Sequence, residues 1–397
     1  MRACHPIAMS APVWHFFLTA FIVGGVCRSL PAQSTAPLIL KGISTNAFGA
    51  FRDGSRFVCA VGQAVELWDR TSGQRVLTIK HSDIVIAVAV ASDERTILTI
   101  TVGKTNPAYL WNLADGGVIR EYPSPAPDVE TTGKREQDRT WELAFRRCVP
   151  EAGFGFTSAA FSMNGNSFVT GDNVGNIVVW NTETRDRMAQ MTDGSRRIRS
   201  IAFSPDGDRV LSYSSDGILR LWDVAAKSVI RRYTARGGQN STPTVSVAFA
   251  FSPDGSQFAF GDTDTLPKSV VAFLQACHAS TGDIVCEMTN RIVDESGAAS
   301  IVRAGCVAFL PAGRMLSNTG SILQVWDIQR EAVTHRYQYE SVINPGYAYP
   351  SVAFVEYLPT IDAAVVVEVE NDENTLHQDW TVFSVVPLAE FSQVYEQ

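Results

Sequence analysis

Residues 198–224 read IRSIAFSPDGDRVLSYSSDGILRLWDV. Ile198, Ile201 and Phe203 approximate the alternation of a half-buried strand. Ser204-Pro205-Asp206-Gly207 is a turn, with proline presetting φ and glycine supplying a positive φ. Val210–Ser214 predicts a second strand, Ser215-Asp216-Gly217 a second turn, and Ile218–Val224 a third strand.

Working outward, the same two phrases recur along the chain. The first is a small residue, an aromatic or valine, and a short polar turn. It appears as FGAFRDG ending at Gly54, VAVASDE ending at Glu94, AAFSMNG ending at Gly165 and IAFSPDG ending at Gly207. It continues as FAFSPDG ending at Gly255, VAFLPAG ending at Gly313 and VAFVEYLP ending at Pro359. The second phrase alternates with it: LWDR at Trp68, LWNL at Trp111, VWNT at Trp180, LWDV at Trp222 and VWDI at Trp326. Cys277 and Phe383 take the tryptophan's place in two degenerate copies. Both phrases count to seven. Self-similarity at a period near 40 residues marks a repeat architecture. The recurring tryptophan is most simply a packing residue between neighbouring units.

This pattern resembles the WD-repeat β-propeller family, over nearly everything after residue 37. The resemblance implies an all-β fold: seven four-stranded antiparallel blades around a central channel. It also implies a polar network in the fullest units, joining a turn aspartate, a histidine before the first strand, a serine and the tryptophan. Here that match is partial. The fourth unit has Asp216, Ser212 and Trp222, but Ser195 stands at the histidine's place. The second has His81, but Gly103-Lys104 at the turn. Apolar packing is therefore expected to hold the blades more than buried polar networks do. Ring closure needs a partner for the last blade. Leu38–Lys41 aligns with the outer strand of blade one and is expected to complete blade seven, with 387–394 as the competing strand.

The repeat is interrupted once. Trp111 and Trp180 are 69 residues apart, against 42 for Trp180 and Trp222. The surplus falls at about 123–153, between blades two and three. It opens with PSPAPD, and 135–148 has the apolar spacing of a short helix, with Trp141, Ala144 or Phe145, and Cys148 on one face. Trp141 and Phe145 are candidate partner anchors, because aromatic anchors dominate interface energies. Packing on their own blades is the alternative. Arg146, Arg147, Arg196 and Arg197 are the candidate basic part of the same surface, with Lys134, Arg135, Arg139, Arg199 and Arg236 nearby. Glu368, Glu370, Asp372 and Glu373 are expected to form an opposing acidic pole.

The chain has 397 residues, 45% hydrophobic and 19% charged, enough for a large core. Its net charge of −8 argues against nucleic-acid binding, which needs a basic face. Residues 1–32 carry Arg2 and Arg28, an apolar stretch at 13–26 and the small-residue segment Ser29-Leu30-Pro31-Ala32. They are expected to be a cleavable signal peptide, with an uncleaved anchor as the alternative. The mature chain, 33–397, would then be one secreted or periplasmic propeller without a membrane span. Cys277 and Cys286 bracket a predicted hairpin and could pair in an oxidising compartment; buried thiols are the simpler expectation. Asn240-Ser241-Thr242 is a glycosylation sequon, meaningful only on a eukaryotic secretory route.

Enzyme chemistry is hardly represented. Gly103-Lys104-Thr105 lacks the first glycine of a phosphate loop, because position 98 is Leu98. There is no GxSxG elbow. His81, His278, His335 and His377 lack zinc spacing. The expectation is a non-catalytic platform without cofactor or metal that binds protein partners outside the cytoplasm. The alternative is a propeller hydrolase or lyase on glycans, its site at the channel mouth.

Overall fold

The computed structural model describes residues 37–41, 47–102, 107–123, 156–234, 248–266, 269–293, 304–319, 322–340, 352–358, 360–370 and 380–393. The chain divides into two compact units, Met1–Ser34 and Thr35–Gln397. The first, with the expected export segment, lies outside the described residues.

The described strands of the second unit form seven antiparallel sheets. Blade one runs outward through Ala47–Ala50, Arg56–Val61, Ala64–Asp69 and Gln74–Lys80. Blades two to five occupy residues 84–122, 156–191, 198–234 and 248–293 in the same order. Blade six, 304–338, gains a fifth, two-residue strand, Ser392–Gln393, opposite Arg336 and His335. Blade seven, 352–387, takes its outer strand from the other end of the chain. Leu38–Lys41 pairs with Trp380–Pro387, Leu38 opposite Phe383 and Lys41 opposite Trp380. The expected clasp is therefore present, and the competing segment serves blade six instead.

Each seam between successive blades has its own apolar cluster. Between blades one and two, Val58, Val65 and Ile79 meet Ile97 and Trp111. Between three and four, Val169, Val179 and Met191 meet Phe203 and Trp222. Between seven and one, Val365, Val367 and Val385 meet Phe57 and Cys59. The other four seams are filled likewise. Each sheet thus covers its neighbour's apolar side, and the ring closes through packing as well as through the clasp. Truncating one buried tryptophan here to alanine would cost about 3–5 kcal/mol.

Converging sheets leave little room near the axis. One row on the inner strands is therefore small: Gly49, Ala89, Ala160, Ala202, Ala250 and Ala308, opposite Val58, Leu98, Val169, Leu211, Ala259 and Leu316. At Gly49 a Cβ would already stand 3.0 Å from Val90 Cγ2 of blade two.

One backbone hydrogen bond repeats in every blade, from the residue two after the tryptophan position to the residue before the second strand. The seven donors are Arg70, Leu113, Thr182, Val224, Ala279, Ile328 and Leu388. The bond places Cys277 at the tryptophan position of blade five, as the sequence suggested. In blade seven it places Val386 there, opposite Ala364. Phe383, expected in that role, lies opposite Val367.

The tryptophans also carry a polar tie. Indole N–H groups donate to a hydroxyl on the adjacent strand: Trp111 to Thr99 at 2.8 Å, Trp180 to Thr170 at 2.9 Å, Trp222 to Ser212 at 2.9 Å and Trp326 to Ser317 at 2.8 Å. In blade one Cys59 occupies the hydroxyl's place, and Trp68 donates to Glu66 at 3.1 Å instead.

Cys277 and Cys286 are both free and buried. Cys277 packs among blade-four side chains such as Leu211 and Tyr233, while Cys286 packs against Met315 and Trp326 of blade six. The thiols point to opposite faces of one sheet, so they cannot pair in this fold. The insertion between blades two and three falls on residues outside the described ones. Among the described residues the helical structure is a single 3-10 turn, Leu388–Glu390, so the expected helical insertion draws no support from them.

Candidate functional site

The strand order puts the first and third turns of each blade on one face. The second turns and the blade-to-blade connections lie on the other. On this second face, blade four departs from the expected polar network. Ser195, at the histidine's place, is buried and donates through Oγ to the Gly175 carbonyl at 3.3 Å. Asp216 turns to Arg220 instead. The guanidinium, buried at 4% exposure, donates to Asp216 Oδ2 at 2.6 Å, to Asp193 Oδ2 at 2.7 Å and to Ser214 Oγ at 2.7 Å. Arg232 adds a second donor to Asp193 at 2.9 Å.

Burial opposes ionisation of Asp193 and Asp216. For Asp193 the bonds and charges of Arg220 and Arg232 outweigh it. For Asp216 those of Arg220 and Ser214 do. Both carboxyls are held below their ordinary value. Arg220 thus links the connection before blade four to the second turn, the link the missing histidine would have made. Blade four thus adds a buried ionic network to the apolar packing of its two seams.

Blade two shows the other half-network. The His81 ring stands edge-on to Trp111 at 4.7 Å between centroids. Its Nε2 is buried without a hydrogen-bond partner among the described residues. Burial pushes the imidazole down to about 4, so it is neutral at pH 7.

Of the predicted surface residues, Trp141, Phe145, Arg146 and Arg147 lie outside the described residues. Arg196 is exposed and Arg197 half-buried, just before blade four. Burial and the neighbouring Arg199 hold the Arg197 guanidinium below its usual value. Asp193 and Asp216 stand close by, so this region is a mixed-charge surface. Glu368 does not join an acidic pole: it is 3% exposed and accepts from Tyr339 Oη at 3.4 Å.

The first-turn face holds a feature that the sequence reading missed. A cleft of about 670 Å³ opens between blades five, six and seven. Half-buried Phe251, Phe309, Ile328, Val355 and Tyr357 form its walls, and Asp254 sits at its lip. Phe251 and Phe309 are the aromatics of the first repeated phrase. The phrase was visible, but the gap between three blades is a tertiary property. Among the described residues, no group of three or more His, Cys, Asp or Glu could hold a metal ion. No described helix is long and apolar enough to cross a membrane.

Comparison with known proteins matches residues 188–223 to the family model described as WD domain, G-beta repeat. That segment begins in the outer strand of blade three, Arg187–Met191, and ends with the third strand of blade four, Ile218–Asp223. The sequence unit is thus offset from the blade by one strand, which is why the last blade must borrow Leu38–Lys41. The chain is 23% identical over 230 residues to Autophagy-related protein 16 of Arabidopsis thaliana, covering 54% of this chain and 44% of that one. It is 26% identical over 220 residues to Pre-mRNA-processing factor 19 of Oryza sativa subsp. japonica, covering 50% and 40%. It is 33% identical over 125 residues to WD repeat and SOCS box-containing protein 1 of Danio rerio, covering 30% and 28%. The matched segments span less than half the length of each of these relatives.

Proposed function

We propose that this chain, a member of the WD-repeat β-propeller family, is a non-catalytic scaffold that binds protein partners outside the cytoplasm. One observation carries the reading. A ring sealed at all seven seams holds its turns on a rigid frame, while the turns themselves differ from blade to blade. Loops on a rigid frame are where binding residues concentrate. The charge of −8 favours a protein partner over nucleic acid. The extracytoplasmic placement rests on the signal-like composition of residues 1–32. The helical insertion, with Trp141 and Phe145 as anchors beside Arg146, Arg147, Arg196 and Arg197, belongs to the same proposal.

Crosslinking and capture from the native envelope or secretome test it. The scaffold reading expects defined protein partners whose retention falls when surface residues of one face are substituted. Recovery of the chain alone, or catalytic turnover of glycans by the purified chain, would contradict it. N-terminal sequencing of the exported protein tests cleavage near residue 32.

A further inference from the structure

The cleft on the first-turn face has a specific chemistry. Phe251, Phe309, Ile328, Val355 and Tyr357 give it apolar and aromatic walls, and among the described residues the one charged side chain that lines it is Asp254. Asp254 is exposed, on the first turn of blade five. Its carboxylate accepts from Ser252 Oγ at 2.6 Å, Ser256 N at 3.0 Å and Ser256 Oγ at 2.9 Å. These bonds hold the carboxyl below its usual range, so it is charged at neutral pH. It forms no ion pair among the described residues.

Two basic side chains stand on the neighbouring turns. Arg209 pairs with Asp223 at 3.1 Å, and Arg314 Nε donates to the Pro311 carbonyl at 3.1 Å. The result is an aromatic slot with a negative lip at Asp254 on the blade-five side, while Arg314 stands near Tyr357 on the far side. Its volume is in the usual range for ligand sites, about 300–1,000 Å³.

We infer that this cleft docks a peptide segment of a partner protein that presents a large apolar side chain next to a lysine or arginine. The apolar side chain would fill the slot between Phe251, Phe309 and Tyr357, and the cation would meet Asp254. An acidic segment is disfavoured by the same lip, and a purely apolar one leaves the Asp254 carboxylate unanswered. The inference rests on the scaffold reading and names the partner chemistry at one of its sites.

The test is fluorescence polarisation of the full chain with three labelled hexapeptides: Gly-Ala-Trp-Arg-Ala-Gly, Gly-Ala-Trp-Glu-Ala-Gly and Gly-Ala-Ala-Arg-Ala-Gly. The first should bind about fivefold or more tighter than either control, the gain of one partly exposed ion pair or one buried ring. Asp254→Asn keeps a turn-compatible side chain and should remove that preference for arginine over glutamate. Asp254→Lys should reverse it. Equal binding of the arginine and glutamate peptides, no effect of Asp254→Lys, or no binding by any peptide overturns the inference. Native capture separates the two readings. Partners retained equally by Asp254→Lys sink the cleft alone, whereas capture of no partner sinks the scaffold as well.

Discussion

Replacing Arg220 with methionine tests whether an ionic link substitutes for the absent histidine in blade four. The change keeps a long side chain but removes the donors to Asp193, Asp216 and Ser214. Removing one partner of a buried ion pair costs about 3–5 kcal/mol, because the other charge is left behind. Asp216 keeps 20% side-chain exposure and Asp193 keeps Arg232, so the expected loss is smaller, about 2–3 kcal/mol. Urea unfolding followed by tryptophan fluorescence reads it, with Trp222 on the same strand as a local reporter.

A pH series adds an independent check. Both carboxyls have a folded value below the unfolded one, near 3.9. Their contribution is therefore complete above about pH 4 and is lost as pH falls through the lowered folded values. The Met variant should show a shallower loss of stability in that acid window than the parent. A midpoint within about 0.5 kcal/mol of the parent, the scatter of ordinary surface changes, would refute the link.

Two further outcomes follow from the same packing. Gly175→Ala should destabilise the chain by more than about 2 kcal/mol, since φ there is +94° and a Cβ would fall 2.2 Å from the Ser195 carbonyl oxygen; thermal melting checks it. His81 is depressed to about 4 when folded, so the unfolded chain, near 6.5, takes up the proton first. Stability should fall as pH drops from about 6.5 towards 4, and His81→Asn should flatten that slope.

Much of this architecture was legible because the repeat carries its own redundancy. Two alternating phrases and the turn chemistry of Ser204–Gly207 point to the same period. Cys277 was identified correctly because its distance to Gly282 equals that of Trp68 to Gly73. Blade seven was misread by three residues. It has no tryptophan, and only the backbone bond from Leu388 to Asp362 reveals Val386 as the equivalent.

The cysteines follow the simpler expectation of buried thiols. They flank a hairpin in sequence, but a register shift at Ala276/Cys277 leaves them on opposite faces. Arg220 went unnoticed because Asp193 is 27 residues away. Its nearer partner, Asp216, four residues earlier across a tight turn, was the available signal. Glu368 looked like surface charge, yet Tyr339 and Ser384 enclose it in the seam. Burial of a single polar side chain leaves no periodic trace.

Amide hydrogen exchange along Trp380–Pro387, compared between the full chain and one lacking residues 33–41, tests ring closure most directly. The account predicts that amides opposite Leu38–Lys41 lose protection, and that Val365 and Val367 of the seven–one seam loosen with them. It also predicts a markedly lower melting temperature. Unchanged protection and an unchanged melting temperature would mean that the two ends of the chain do not hold the ring together.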